Sequence, residues 1–109
     1  MRRGELYRVY KGNNNDPKNY RVYLIVSRQT VIDVNFSTVI CAPVCSQFSE
    51  GVPTQIEVGA EEGLKHDSAI FCDGLISIPK SMLTDYVGTL SDTKMEEVNY
   101  ALRIALSVE

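Results

Sequence analysis

The sequence predicts a mainly β domain, a small antiparallel barrel with one amphipathic helix packed on it. Three observations carry this. Short runs rich in β-branched and aromatic residues recur between residues 4 and 90, separated by turn formers. The stretch 91–106 contains no Gly or Pro and repeats its apolar residues at helical spacing. The chain has 109 residues, room for one domain (1–109) around one core. Five or more short strands followed by one helix, in that length, suit a barrel closed by a helix.

Taken in order, "GELYRVY" (4–10) is short, β-rich and partly alternating, and reads as a strand. "KGNNNDPKN" (11–19) is dense in turn formers and reads as a loop. "YRVYLIVS" (20–27) is an almost continuous apolar run, the pattern of a strand buried on both faces. "STVICAPVC" (37–45) is a third strand, and Pro43 predicts an edge or a bulge at that point. "TQIEVG" (54–59) alternates like a half-exposed strand, and "SAIFCDGLISI" (68–78) reads as one strand bent at Gly74. "DYVGTL" (85–90) is a last strand candidate. In "SDTKMEEVNYALRIAL" (91–106), Met95, Val98, Ala101, Leu102 and Ala105 share one helical face. Ser91 suits the N-cap, and Asp92 complements the helix dipole. The two-faced apolar second strand exceeds what one helix covers, which predicts a symmetric homodimer.

Hydrophobic content is 44% and charged content 23%, ordinary for a soluble globular domain. No run approaches the roughly 18 apolar residues of a membrane span. The start "MRRGELYRVY" lacks the apolar segment of a signal peptide. The expectation is a cytoplasmic protein without membrane contact. Three cysteines fit no zinc spacing. On one strand face, Cys41 and Cys45 would stand roughly 13 Å apart, too far for a disulfide, so reduced thiols are expected. The net charge of −3 argues against a generic nucleic-acid coat. Its distribution is uneven: residues 1–28 hold seven basic residues against Glu5 and Asp16, a balance of +5, leaving −8 for the rest. A basic first quarter on an acidic body suggests an anionic partner at one face.

Arg21 is the most pointed candidate. It opens the most apolar strand directly after a polar loop, and its parity groups it with Tyr23 and Ile25. An arginine there either snorkels to the surface or faces a pocket that takes an anion, and its fixed bidentate donors suit phosphate. In "VICAPVCSQF" (39–48) a thiol and a hydroxyl, Cys45 and Ser46, stand side by side where a strand meets solvent; turn and packing residues or the edge of a site both fit. Asp73 ends an apolar run, as a turn residue or as an arginine's partner. His66, in the charged stretch "EEGLKHDS", reads as solvent-exposed. A nucleophilic Cys45–His66–Asp73 set is the alternative chemistry. No P-loop, dinucleotide fingerprint or metal motif is present, so no cofactor and no metal are expected.

Together these segments resemble the MazF/PemK family of toxin endoribonucleases. The resemblance rests on "RRGELYRV" (2–9), "YRVYLIVS" (20–27), "STVICAPVCSQ" (37–47), "VPTQIEV" (52–58), "GLKHDSAIFCDGLISIPKSML" (63–83) and "VGTLSDTKMEEVNYAL" (87–102), in that order and spacing. It implies a small SH3-like barrel of the CcdB/PemK type with a C-terminal helix, assembled as a homodimer. It implies metal-independent cleavage of single-stranded RNA by attack of the RNA 2′-hydroxyl, leaving a 2′,3′-cyclic phosphate and a 5′-hydroxyl. It further implies an antitoxin partner whose disordered acidic tail blocks the RNA groove.

By this resemblance the family arginine falls on Arg21, for phosphate stabilisation and proton transfer. The family's usual threonine position is Cys45, with Ser46 beside it. Asp73 matches an acidic residue of some members, whose basic residue two positions earlier is Phe71 here. Val22 stands where many members have proline, and "KGNNNDPKNY" replaces their glycine-rich loop. Asn15, Lys18, Asn19 and Gln47 are the candidates for RNA contact. The rival readings are a non-catalytic module of the same fold, of the gyrase-inhibitor or decayed-nuclease kind, and a cysteine hydrolase using Cys45.

Overall fold

The computed structural model describes residues 1–11 and 19–109. Asn15 and Lys18 therefore lie outside the described residues. Among these, seven strands form one antiparallel sheet: β1 (Glu5–Tyr10), β2 (Tyr20–Ile25), β3 (Thr38–Cys45), β4 (Gln55–Val58), β5 (Ser68–Phe71), β6 (Ile76–Pro79) and β7 (Asp85–Thr89). The path runs β4-β5-β3-β2-β1-β7, and β6 joins the far half of β3. Two helices complete the chain, a short α1 (Gln29–Asp33) and the long α2 (Asp92–Leu106).

Strand parity creates two cores. On one face Leu6, Val22, Leu24, Ala42 and Ile70 meet Val98 and Ala101 of α2. On the other, Tyr7, Val9, Ile25, Val39 and Cys41 meet Ile32 of α1, Ile78 of β6 and Leu83. The run 20–27 is therefore buried on both faces. The chain itself covers the second face, so the apolar excess expected to force dimerisation is not there in that form.

α2 begins as the sequence indicates. The Ser91 hydroxyl accepts the Lys94 amide hydrogen at 3.2 Å, and Asp92 sits in the first turn. Val98 and Ala101 are fully buried, with Met95, Leu102 and Ala105 packed around them.

Two expectations need correction, and they share a cause. Residues 68–78 are not one bent strand: Cys72–Gly74 form a 3-10 turn between β5 and β6. Pro43 is not at an edge but inside the central strand β3, opposite Tyr23 of β2. On its other flank β5 pairs with Val44 and Cys45, and β6 with residues up to Cys41, so Pro43 falls in the gap between two ladders. A proline has no N–H to offer a ladder, and the chain turns away there. The turn packs closely on the ring: a Cβ at Gly74 would stand 3.2 Å from Pro43 Cγ.

α1 had no sequence signal. Five residues bury one side chain, Ile32. The Lys80 ammonium finishes the helix, donating to the carbonyls of Val31, Ile32 and Val34 at 2.9, 2.9 and 2.7 Å.

Candidate active site

β2 and β3 are neighbours in register, with Val22 opposite Val44 and Tyr23 opposite Pro43. One further step along that register brings Arg21, at the start of β2, beside Cys45, at the end of β3. Sequence separation hides this approach; antiparallel pairing makes it. A cavity of about 680 Å³ opens there. Tyr20, Arg21 and Val22 form one wall, and Val44, Cys45, Ser46 and Gln47 a second. The turn before β5 supplies a third wall with Leu64, Lys65 and His66, and Ser68 follows it.

The walls combine an apolar base with charged and polar edges. Arg21 is exposed, and among the described residues no carboxylate lies within ion-pair distance of it. Cys45 is half-buried and Ser46 and Gln47 are exposed. Tyr20 is held from behind: its ring packs edge-on to Tyr10 at 5.8 Å between centroids, and the Arg8 guanidinium lies 5.2 Å over it. Arg8 also pairs with Asp85 at 3.7 Å.

The three thiols divide by environment. Burial pushes the Cys41 thiol up to about 12 and the Cys72 thiol to about 11, the latter helped by Asp73. Both are free and sequestered in the cores, whereas Cys45, also free, reaches the cavity.

Not every sequence candidate meets here. Asp73 is off the cavity wall: its carboxylate accepts a 2.6 Å hydrogen bond from the buried Thr54 hydroxyl. The 3-10 turn at Cys72–Gly74 carries it toward the segment before β4. A Cys45–His66–Asp73 set is thus not assembled. Asn19 is exposed and closes the base of the 11–19 loop, its amide donating to the Lys11 carbonyl at 3.1 Å. Among the described residues, two of the basic groups of the first quarter are engaged elsewhere in the fold. Arg3 is half-buried, donating to the Val26 carbonyl at 3.0 Å and to Asn99 of α2 at 2.8 Å, and Arg8 is engaged by Asp85 and Tyr20.

The sequence reading missed Tyr20 and Lys65 as wall residues; His66, read as solvent-exposed and named only in the alternative set with Cys45, is exposed at this wall. The charged stretch "EEGLKHDS" carries no periodicity that would aim it at β2, so only the fold relates them.

The profile of the family described as PemK-like, MazF-like toxin of type II toxin-antitoxin system matches residues 2–106. Endoribonuclease EndoA of Bacillus subtilis is 34% identical over 73 residues, which span 65% of this chain and 63% of that protein. Endoribonuclease MazF of Staphylococcus saprophyticus is 29% identical over 111 residues, covering 99% of this chain and 92% of that protein. Among solved structures, an endoribonuclease in complex with its cognate antitoxin from mycobacterial species has the same fold, with a TM-score of 0.83 at 24% identity, covering 100% of this chain and 97% of that one.

Proposed function

Since the chain belongs to the PemK-like, MazF-like toxins of type II toxin-antitoxin systems, we propose that it is an endoribonuclease cutting single-stranded RNA at short sequences. The observation that carries this reading is the meeting of Arg21 with Cys45 and Ser46 on the walls of one open cavity. The curated relatives bearing the name endoribonuclease support it.

The chemistry asks little of the protein. The RNA 2′-hydroxyl is the nucleophile, so neither an activated water nor a protein nucleophile is needed, and the cleavage runs without a metal. The 2′-oxygen attacks phosphorus and the bond to the 5′-oxygen breaks, leaving a 2′,3′-cyclic phosphate and a 5′-hydroxyl. What remains is to hold the phosphate in line and stabilise charge on the phosphorane. Arg21 does the latter with paired N–H donors. Cys45 and Ser46 position the scissile phosphate from the neighbouring strand end, and Gln47 on the cavity wall and Asn19 before β2 are the candidates to contact flanking nucleotides. Asp73 acts at most through Thr54 from outside the cavity. The protein works as a cytoplasmic homodimer, and its partner is an antitoxin whose disordered acidic tail occupies the cationic cavity edge at Arg21 and Lys65.

The test is incubation of purified protein with a long RNA in EDTA, followed by mapping of both ends. Cyclic-phosphate and 5′-hydroxyl ends are expected. Arg21→Ala should lose about 100- to 1000-fold in rate, the usual effect of removing one preorganised donor, with the fold retained. RNA binding without any cleavage by the wild type would favour the non-catalytic reading, for which the thiol at position 45 is the specific motive.

A further inference from the structure

The resemblance assigns proton transfer as well as phosphate stabilisation to Arg21, and the first of these roles needs a group that can accept a proton. The 2′-hydroxyl must lose a proton as it attacks. An arginine stays protonated in proteins, and a lysine ammonium has no lone pair to offer. The ionisable wall residues are Tyr20 and Arg21 from β2, Cys45 from the end of β3, and Lys65 and His66 from the turn before β5. Asp73, the carboxylate the sequence suggested, is outside and bonded to Thr54. Among these groups a neutral imidazole is the natural proton acceptor near neutrality.

We propose that His66 is the general base of this site, facing Arg21 across the cavity. The inference rests on the reading of the chain as an RNA-cleaving enzyme. In the step, the 2′-O–H bond breaks as the 2′-O–P bond forms, and the proton passes to the imidazole. The P–O5′ bond breaks, the 5′-oxygen takes a proton from water, and the imidazolium returns its proton to solvent.

The turn is built to hold such a group steady. Leu64 packs against the first core, and its amide donates to the Gly59 carbonyl at 3.2 Å. The buried Ser68 donates its hydroxyl to the His66 carbonyl at 3.0 Å. The turn is thus tied at the Leu64 amide and at the His66 carbonyl, while His66 itself stays exposed at the cavity.

Chemical rescue separates proton transfer from charge or architecture. Single-turnover cleavage of a single-stranded RNA is measured for the wild type, His66→Ala, His66→Gln and His66→Lys, with and without free imidazole. Binding of the same RNA carrying a 2′-deoxy link at the cut site is measured in parallel. Expected are losses of about 100- to 10,000-fold in all three variants, binding within about threefold of wild type, and recovery of His66→Ala by imidazole in a concentration-dependent way. The proposal is overturned if His66→Ala and His66→Gln cleave within about threefold of wild type, if His66→Lys restores the rate, if imidazole rescues nothing, or if the loss resides entirely in RNA affinity. A wild type that cleaves no RNA overturns the enzyme reading and this assignment together; a wild type that cleaves beside an unimpaired His66→Ala overturns this assignment alone.

Discussion

Arg21 and Cys45 stand side by side at the ends of two paired strands, and their chemistry is unequal. The guanidinium is a strong, fixed donor, whereas a thiol is a weak donor and a weak acceptor. The position that resembles a family threonine is here a cysteine, and a covalent role is not required by the proposed 2′-hydroxyl attack. Cys45→Thr restores a hydroxyl at the same place. A hydrogen bond to a charged group contributes about 1.5–3 kcal/mol, roughly ten- to a hundredfold in rate if made fully in the transition state. The expected outcome is that Cys45→Thr cleaves single-stranded RNA at least as fast as wild type, measured at single turnover. A folded variant slowed more than about tenfold would show that the thiol does something a hydroxyl cannot. If Ser46 has taken over the threonine's work, Ser46→Ala is slower than Cys45→Ala in the same assay.

At the scale of the element, α2 is the part whose sequence and structure agree most closely. Its start depends on one local bond, the Ser91 hydroxyl accepting from the Lys94 amide. Its burial depends on Val98 and Ala101. Ser91→Ala removes the cap while leaving both core residues in place. A loss of about 1 kcal/mol is expected, read as a lower midpoint in denaturant with an unchanged slope. Cleavage should be unaffected, because Ser91 is not among the cavity-lining residues. Element boundaries elsewhere answer to tertiary partners. α1 ends on Lys80, and the break between β5 and β6 faces Pro43.

The whole molecule closes where its two sheet edges approach. β4 and β7 are the ends of the path, and the turn after β4 packs on β7. There the backbone runs so close that a Cβ at Gly88 would collide with the Glu62 carbonyl oxygen. Neither partner is a flexible side-chain end, so the strands must shift. Gly88→Ala is expected to destabilise by about 1–3 kcal/mol, the range for overpacking, with a matching fall in thermal midpoint. Assembly is argued at the same scale. The chain covers both faces of β2, so dimerisation must draw on what it leaves outside, including Tyr100, Ile104 and Leu106 on α2, and Ile40 and Ile76 on the β3–β6 pair. Light scattering coupled to size exclusion is expected to give twice the chain mass. A monomer at tens of micromolar would remove the homodimer from the proposal.

Local chemistry was legible from the residues alone wherever it decided the outcome. Alternation marked the strands at 4–10 and 54–59, a β-rich apolar run marked 37–45, helical spacing and a serine cap marked α2, and the apolar run at 20–27 announced its two-sided burial. Arg21 and Cys45 stood out because polar groups at the ends of apolar strands are exposed by the geometry of a strand. Pairing partners were not legible. Nothing in "CAPVC" tells that β5 and β6 divide one flank of β3 and leave Pro43 between them, and nothing near Asp73 tells that Thr54 binds it. His66 belongs to the same class, since its turn comes to β2 only through β5 and β3. Strand and helix periods are short-range properties of consecutive residues, whereas a cavity is made by residues far apart in the chain, and only the register of the folded sheet decides which of them meet.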